Sequence, residues 1–319
     1  MRQVLAAEAP QRSLRALAAL LLVTILWGFS FVWMKQNLEA AARILGGPAG
    51  WAVVSFFVAV RFGAAAILLA FWPRARTGLD RGAWWAGLVL GALLFFGFVL
   101  QILGLEGVTP PVSAFLTSLY VVFAALLTAI MKKSRPRLAL LAGIALATFG
   151  AGFIEGPPNL TFGLPEWLTV LCALIFAVVI LATDRLTKTH APLAVTLASF
   201  VATGALGAGS TLLALADPRA PTMRALAALL ADPDFVRPLV LLTLFSTVAA
   251  LTLMNLFQRE IDPVRASIIY SLEPIWATVI AFAYGLGRPT AWLVVGGCAL
   301  LAGNLVAEFA PVFEANRTK

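Results

Sequence analysis

The chain has 319 residues and a net charge of +8, yet only 12% of it is charged and 61% is hydrophobic. Ordinary soluble domains carry about 25% charged residues, and here the mean hydropathy reaches +0.95, so there is too little polar side chain to cover a water-facing surface. A soluble enzyme or a nucleic-acid-binding domain is excluded. The basic residues, set in short clusters between apolar runs, read as topology signals of a polytopic membrane protein.

Crossing a hydrocarbon core of about 30 Å takes roughly 20 apolar residues. Runs of that kind predict ten spans, over residues 14–36, 51–72, 83–104, 111–131, 138–154, 165–183, 192–215, 236–257, 265–285 and 290–310. The first run is too long for the core of a signal peptide and reads as a retained span. Two connections are long. Residues 37–50 carry "GGPAG", and 216–235 carry "TMRALAALL" between two Asp-Pro turns, which suits a short helix in the membrane interface. Cys172 and Cys298 fall inside spans, where a thiol packs as a small hydrophobe.

The lysines and arginines orient the bundle. Sixteen fall on the side of the N-terminus and six on the other (Lys35, Arg43, Arg219, Arg224, Arg237 and Arg288), with Arg61 left over inside the second span. Positive-inside asymmetry then predicts both termini in the cytoplasm and a multi-pass protein of the cytoplasmic (inner) membrane. Trp27, Trp33, Trp51 and Trp167 lie near predicted ends and read as interface anchors.

Shifted by 153 residues, the chain aligns with itself. "TSLYVVFAALL" (117–127) falls on "YSLEPIWATVI" (270–280), and "SRPRLALLAGIALATFG" (134–150) on "GRPTAWLVVGGCALLAG" (287–303). The match includes Ser118/Ser271, Arg135/Arg288, Pro136/Pro289, Gly143/Gly296 and Gly150/Gly303. Arg-Pro and two glycines in one register point to a duplication rather than to convergent apolar composition. An offset of five spans makes the copies enter the membrane in opposite directions, the plan of alternating-access transporters. The expected fold is therefore all-α integral membrane, ten transmembrane helices as two five-helix inverted-topology repeats, over residues 1–156 and 157–319.

Three stretches carry a family likeness. "LLVTILWGFSFVWMK" with Trp27-Gly28, "VRFGAAAILLAF" with Arg61-Phe62, and "SLEPIWATVIAFAYGLGRPTAWLVVGGCALLAGNLV" with Glu273-Pro274 resemble the first, second, ninth and tenth helices of EamA-type permeases of the drug/metabolite transporter superfamily. The resemblance covers about residues 14–310. It implies secondary transport of small metabolites or drug-like solutes, amino acids among them, by export or exchange. Val121 stands where that family often has a proline, which leaves open whether helix four is distorted like helix nine.

Arg61 and Glu273 are placed near the bilayer midplane, where an unpaired charge costs at least a few kcal/mol and so faces the bundle interior or water. One reading has Arg61 bind an anionic group while Glu273 pairs with it or exchanges a proton; the other is a structural ion pair. Pro274 has no N–H, leaves the carbonyl of Tyr270 without its helical donor, and marks a bend or hinge. Tyr120, equivalent to Glu273 in the repeat, is a candidate pathway residue, with Gln101, Asn255, Tyr270 and Ser271 beside it. Trp276 is a candidate to stack on an aromatic or cationic solute.

His190 is the sole histidine, and no phosphate-binding Gly-rich loop is present. No catalytic residue, metal site or cofactor is expected, and Glu106, Glu155 and Glu166 look solvated at outer span ends. The expected partners are a small organic solute, the lipid bilayer and, as a candidate coupling ion, the proton, with no nucleic acid. The alternatives are a membrane scaffold or sensor, which would show a centre packed with apolar side chains, and a lipid-acting membrane enzyme, which would show a polar triad at one leaflet.

Overall fold

The structure, a computed structural model, describes residues 2–131, 133, 138–153, 162–261, 266 and 269–315, of which residues 2–13, 140, 152, 153 and 307–315 are described in backbone only. Arg135, Pro136, Glu155 and the expected repeat boundary at 156/157 lie outside the described residues.

Helices in chain order are α1 (Arg2–Leu45), α2 (Trp51–Ala70), α3 (Pro73–Arg76), α4 (Arg81–Gly107), α5 (Pro110–Thr117), α6 (Tyr120–Met131), α7 (Leu138–Phe153), α8 (Leu164–Thr189), α9 (Pro192–Ala214) and α10 (Met223–Leu229). Then follow α11 (Pro233–Leu241), a π-helical stretch (Leu242–Ala249), α12 (Ala250–Phe257), α13 (Glu273–Ala283) and α14 (Ala291–Ala315). Among the described residues there is no strand. Among the same residues seven helical segments are long and apolar enough to cross a membrane, and three shorter apolar helices lie at Leu141–Ala151, Glu273–Ala283 and Ala291–Val306.

Side chains are distributed as a bilayer demands. Ile67, Trp85 and Leu213 are 63%, 70% and 80% exposed on span helices, whereas Arg61 and Glu273 are 1% and 5% exposed inside. With hydrocarbon outside, the polar groups have partners only in the interior.

The first helix outruns its expected end at residue 36. Its continuation, "QNLEAAARIL", is rich in strong helix formers, and the helix stops only where Gly46 takes φ 72° and donates its N–H to the Ala42 carbonyl (2.9 Å). The connection expected over 37–50 thus shrinks to a few residues. Trp27 and Trp33 become mid-helix positions, so their reading as interface anchors is corrected; Trp33 is 6% exposed, while Trp51 and Trp167 are 43% and 59% exposed. Lys35 uses its reach to cap α4, donating to the carbonyls of Leu105, Glu106 and Val108 at 3.0, 3.1 and 3.2 Å. Glu106 is not simply solvated, because its carboxylate accepts from the Ala49 backbone N–H.

Helix pairing follows small residues. The tight pair of α7 and α14 is reciprocal: a Cβ at Gly150 would strike the Leu300 backbone beside the Gly296 carbonyl, and one at Gly303 would strike Ala147 beside Gly143. Leu300 and Gly296 are the 153-shifted equivalents of Ala147 and Gly143. Four glycines in one register let these two backbones touch.

The segments expected as the fourth and ninth spans are both broken. A turn at Ser118–Leu119 separates α5 from α6, and a turn at Ser271–Leu272 precedes α13. The local hydrogen bonds match at the same offset. Leu119 N–H to Leu116 O (3.2 Å) has its counterpart in Leu272 to Ile269 (3.1 Å), and Phe123 to Leu119 (2.9 Å) in Trp276 to Leu272 (3.3 Å). Helix four therefore breaks without a proline at Val121. Its loose end is tied from outside, by Asn304 Nδ2 donating to the Ser118 carbonyl (3.2 Å) and approaching its hydroxyl (3.1 Å).

Candidate functional site

The two breaks meet. Tyr120 opens α6 and Glu273 opens α13, and the Tyr120 hydroxyl lies 2.9 Å from Glu273 Oε2 and 3.1 Å from the Tyr270 carbonyl. That carbonyl is the one Pro274 deprives of its helical donor, so the bend expected from the Glu-Pro pair is satisfied from the other half of the chain.

Both residues line a cavity of about 50 Å³, together with Trp27, Phe98, Gln101 and Phe176. The space suits a few waters at most; organic ligands occupy clefts of roughly 300–1,000 Å³, so the site is closed in this conformation. Tyr270, expected in the pathway, is not among the residues that line the cavity; its hydroxyl donates to Gln258 Oε1 (2.9 Å), and Gln258 Nε2 donates to the carbonyl of the wall residue Ile180 (3.1 Å). The Tyr270 ring leans on Trp27, with centroids 5.6 Å apart. One tyrosine thus joins the break in the ninth span to α8 through its side chain and to α6 through its carbonyl.

Arg61 is not in the wall of this cavity and makes no ion pair with Glu273. Its Nε donates to Thr247 Oγ1 (2.6 Å) and a terminal nitrogen points at the Met34 sulfur (3.8 Å). The guanidinium lies 4.4 Å from the ring centre of Phe98, a wall residue, so it sits one side chain back from the cavity. Thr247 belongs to the π-helical stretch, where its hydroxyl donates five residues back to Leu242 O (3.2 Å). The neighbouring Ser246 donates across to the Leu26 carbonyl (2.7 Å). A π-turn widens the helix and re-aims such side chains.

The remaining expected pathway residues divide. Gln101 lines the cavity, and its buried Oε1 has no donor among the described residues. Asn255 does not line it; its amide donates to Thr196 Oγ1 (2.7 Å) and ties α12 to α9. Ser271 is buried in the turn. Trp276 packs on α1 instead of facing a solute, because Gly28 leaves room there; a Cβ at Gly28 would fall 2.7 Å from that of Trp276. Sequence reasoning missed Thr247, Phe98 and Phe176, which carry no motif. Pro238 inside α11 is an upstream irregularity, but it does not foretell the π-turn. Among the described residues no cluster of three or more His, Cys, Asp or Glu side chains is placed to hold a metal.

The sequence profile of the EamA-like transporter family matches residues 14–155 and again residues 164–308. The chain belongs to that family. As an EamA-like protein it is a multi-pass membrane transporter of small solutes. Over 264 residues it is 26% identical to an "uncharacterized transporter" of Archaeoglobus fulgidus, covering 83% of this chain and 76% of the relative. A solved structure titled "Crystal structure of protein" shares the fold, with a TM-score of 0.57 at 19% identity over 93% of this chain and 98% of that one.

Proposed function

We propose that this EamA-like chain is a secondary transporter, an exporter or exchanger, that works by alternating access at the cavity between two inverted five-helix repeats, residues 1–156 and 157–319. One observation carries the reading. Tyr120 and Glu273, equivalent under the 153-residue shift, touch each other at the wall of a buried, mostly apolar cavity. Residues related by a two-fold axis meet only near that axis, where inverted repeats place their substrate site. The double match of the family profile and the matched hydrogen bonds at the two breaks support the same division.

Alternating access needs helices that bend at the site without losing buried hydrogen bonds. Breaks at Ser118–Leu119 and Ser271–Leu272 meet that need: the Tyr270 carbonyl takes its donor from Tyr120, and the Ser118 carbonyl, which also accepts from the Val121 N–H, takes a second donor from Asn304. Glu273 is the group that exchanges a proton in the cycle. Held among apolar walls with a single hydroxyl as partner, its charged form needs either water or a cation, so its charge state follows the opening of the cavity. The termini lie in the cytoplasm, and the membrane is the cytoplasmic one. The test is counterflow in proteoliposomes against a panel of amino acids and amphipathic cations. Trans-stimulated exchange of at least one solute is expected. Leakage without trans-stimulation would leave a channel, and no flux at all a scaffold.

A further inference from the structure

We infer that the solute bound at this cavity is a protonated amine with an apolar body, its ammonium set against Glu273 and Gln101. The inference rests on the cavity being the transport site and names the chemical class of what is transported there.

Charge in the wall has one sign. Among the described residues that line the cavity Glu273 is the sole carboxylate, and none is a lysine, arginine or histidine. Its Oε2 has the Tyr120 hydroxyl, and no donor among the described residues reaches Oε1. Two basic side chains of the described bundle, Arg61 and Lys35, are engaged elsewhere. Arg61 lies behind Phe98 on Thr247, and Lys35 is bound by three carbonyls at the end of α4. The other ionisable groups around Glu273 are Tyr120 on α6, Tyr270 in its own span and Cys172 on α8. All three are neutral or anionic by chemistry, never cationic, so the counter-charge must arrive with the solute or as a proton.

The rest of the wall fits the same ligand. Trp27, Phe98, Tyr120 and Phe176 offer aromatic faces, which attract a desolvated ammonium through their ring quadrupoles. The Gln101 amide oxygen is a buried acceptor without a donor among the described residues, and an unmet buried acceptor favours a ligand that brings an N–H. A carboxylate solute would meet Glu273 as a like charge and leave Gln101 unsatisfied. The closed volume of about 50 Å³ holds little more than an ammonium head, so the apolar body has to enter as the broken helices part.

The experiment uses three probes of one shape on the full-length protein in detergent: 3,3-dimethylbutylamine, 3,3-dimethylbutan-1-ol and 3,3-dimethylbutanoate, which are cationic, neutral and anionic at pH 7. Binding is read by titration calorimetry, and choline serves as a cation lacking N–H donors. The amine is expected to bind at least tenfold tighter than the alcohol and the carboxylate, and choline to fall between amine and alcohol. Choline, whose own charge does not change with pH, is expected to weaken as protons compete for Glu273. Glu273→Gln should abolish the preference for the amine over the alcohol, with an unchanged circular dichroism spectrum and elution volume as the control for folding. Equal binding of amine and alcohol, or tighter binding of the carboxylate, would overturn the inference. Loss of carboxylate binding in Arg61→Gln would then move the site to Arg61. If counterflow of other solutes persists in that case, the transporter reading stands and only the amine assignment falls.

Discussion

Tyr120→Phe removes one oxygen from the junction of the two halves. The hydroxyl has one proton and two acceptors within reach, Tyr270 O at 3.1 Å and Glu273 Oε2 at 2.9 Å. When Glu273 is ionised the proton is drawn to the carboxylate. When Glu273 is protonated it can itself donate to the tyrosine oxygen, and the tyrosine proton passes to the Tyr270 carbonyl, which Pro274 cannot serve. The loss is therefore that of one hydrogen bond to a buried acceptor, about 1–3 kcal/mol, and not the sum of two. For a chain of this size that predicts a fall in Tm of about 1–2 °C for each kcal/mol, measured by circular dichroism on the purified protein. A double-mutant cycle with Glu273→Ala isolates the carboxylate's share, with an expected coupling of about 1 kcal/mol or more. Additivity within about 0.5 kcal/mol would mean that the two halves do not meet through this contact, and the placement of the site on the repeat axis would fall with it.

Three further outcomes are expected. Glu273→Gln should lose accumulation driven by a pH gradient while retaining exchange of solute supplied well above its weakened Kd; equal accumulation by mutant and parent at every gradient would end the proton-coupling proposal. Gly150→Ala and Gly303→Ala should each lower stability, by about 1–3 kcal/mol, because their Cβ atoms would meet backbone across the α7–α14 contact, whereas Gly209→Ala meets nothing within 4 Å and should be neutral or slightly stabilising. Unequal losses at the two tight glycines would argue against reciprocal packing. A single cysteine at position 288, in a chain lacking Cys172 and Cys298, should react with an impermeant thiol reagent from outside the cell. Protection there would reverse the orientation of the bundle.

Much of this protein was legible without coordinates because a bilayer leaves a chain few choices. The low charge and the recurrent apolar runs already demanded membrane helices, since no other open structure satisfies its backbone in hydrocarbon. Glu273-Pro274 announced a bend, and a missing N–H is a local fact that needs no tertiary information. The 153-residue self-match identified Tyr120 as the partner position of Glu273 before any contact was known. Helix ends were read less well. Past residue 36, α1 continues through Ala- and Leu-rich sequence, because leaving the apolar slab does not stop a helix; a left-handed glycine does.

What tertiary structure alone decided is which polar groups share a space. Arg61 and Glu273 are both rare intramembrane charges, and sequence could only pair them by elimination. The fold separates them by giving Arg61 to Thr247, Met34 and the face of Phe98, and Glu273 to Tyr120 and the cavity. Asn255 and Asn304 are both isolated polar residues in apolar helices, yet one ties two helices together and the other bonds to the break at Ser118. The reason is physical. Apolar periodicity records which residues avoid water, whereas the direction of a buried side chain depends on helix rotation, on a π-turn at Thr247 and on where a neighbour such as Gly28 leaves room. None of those is written in the order of the residues.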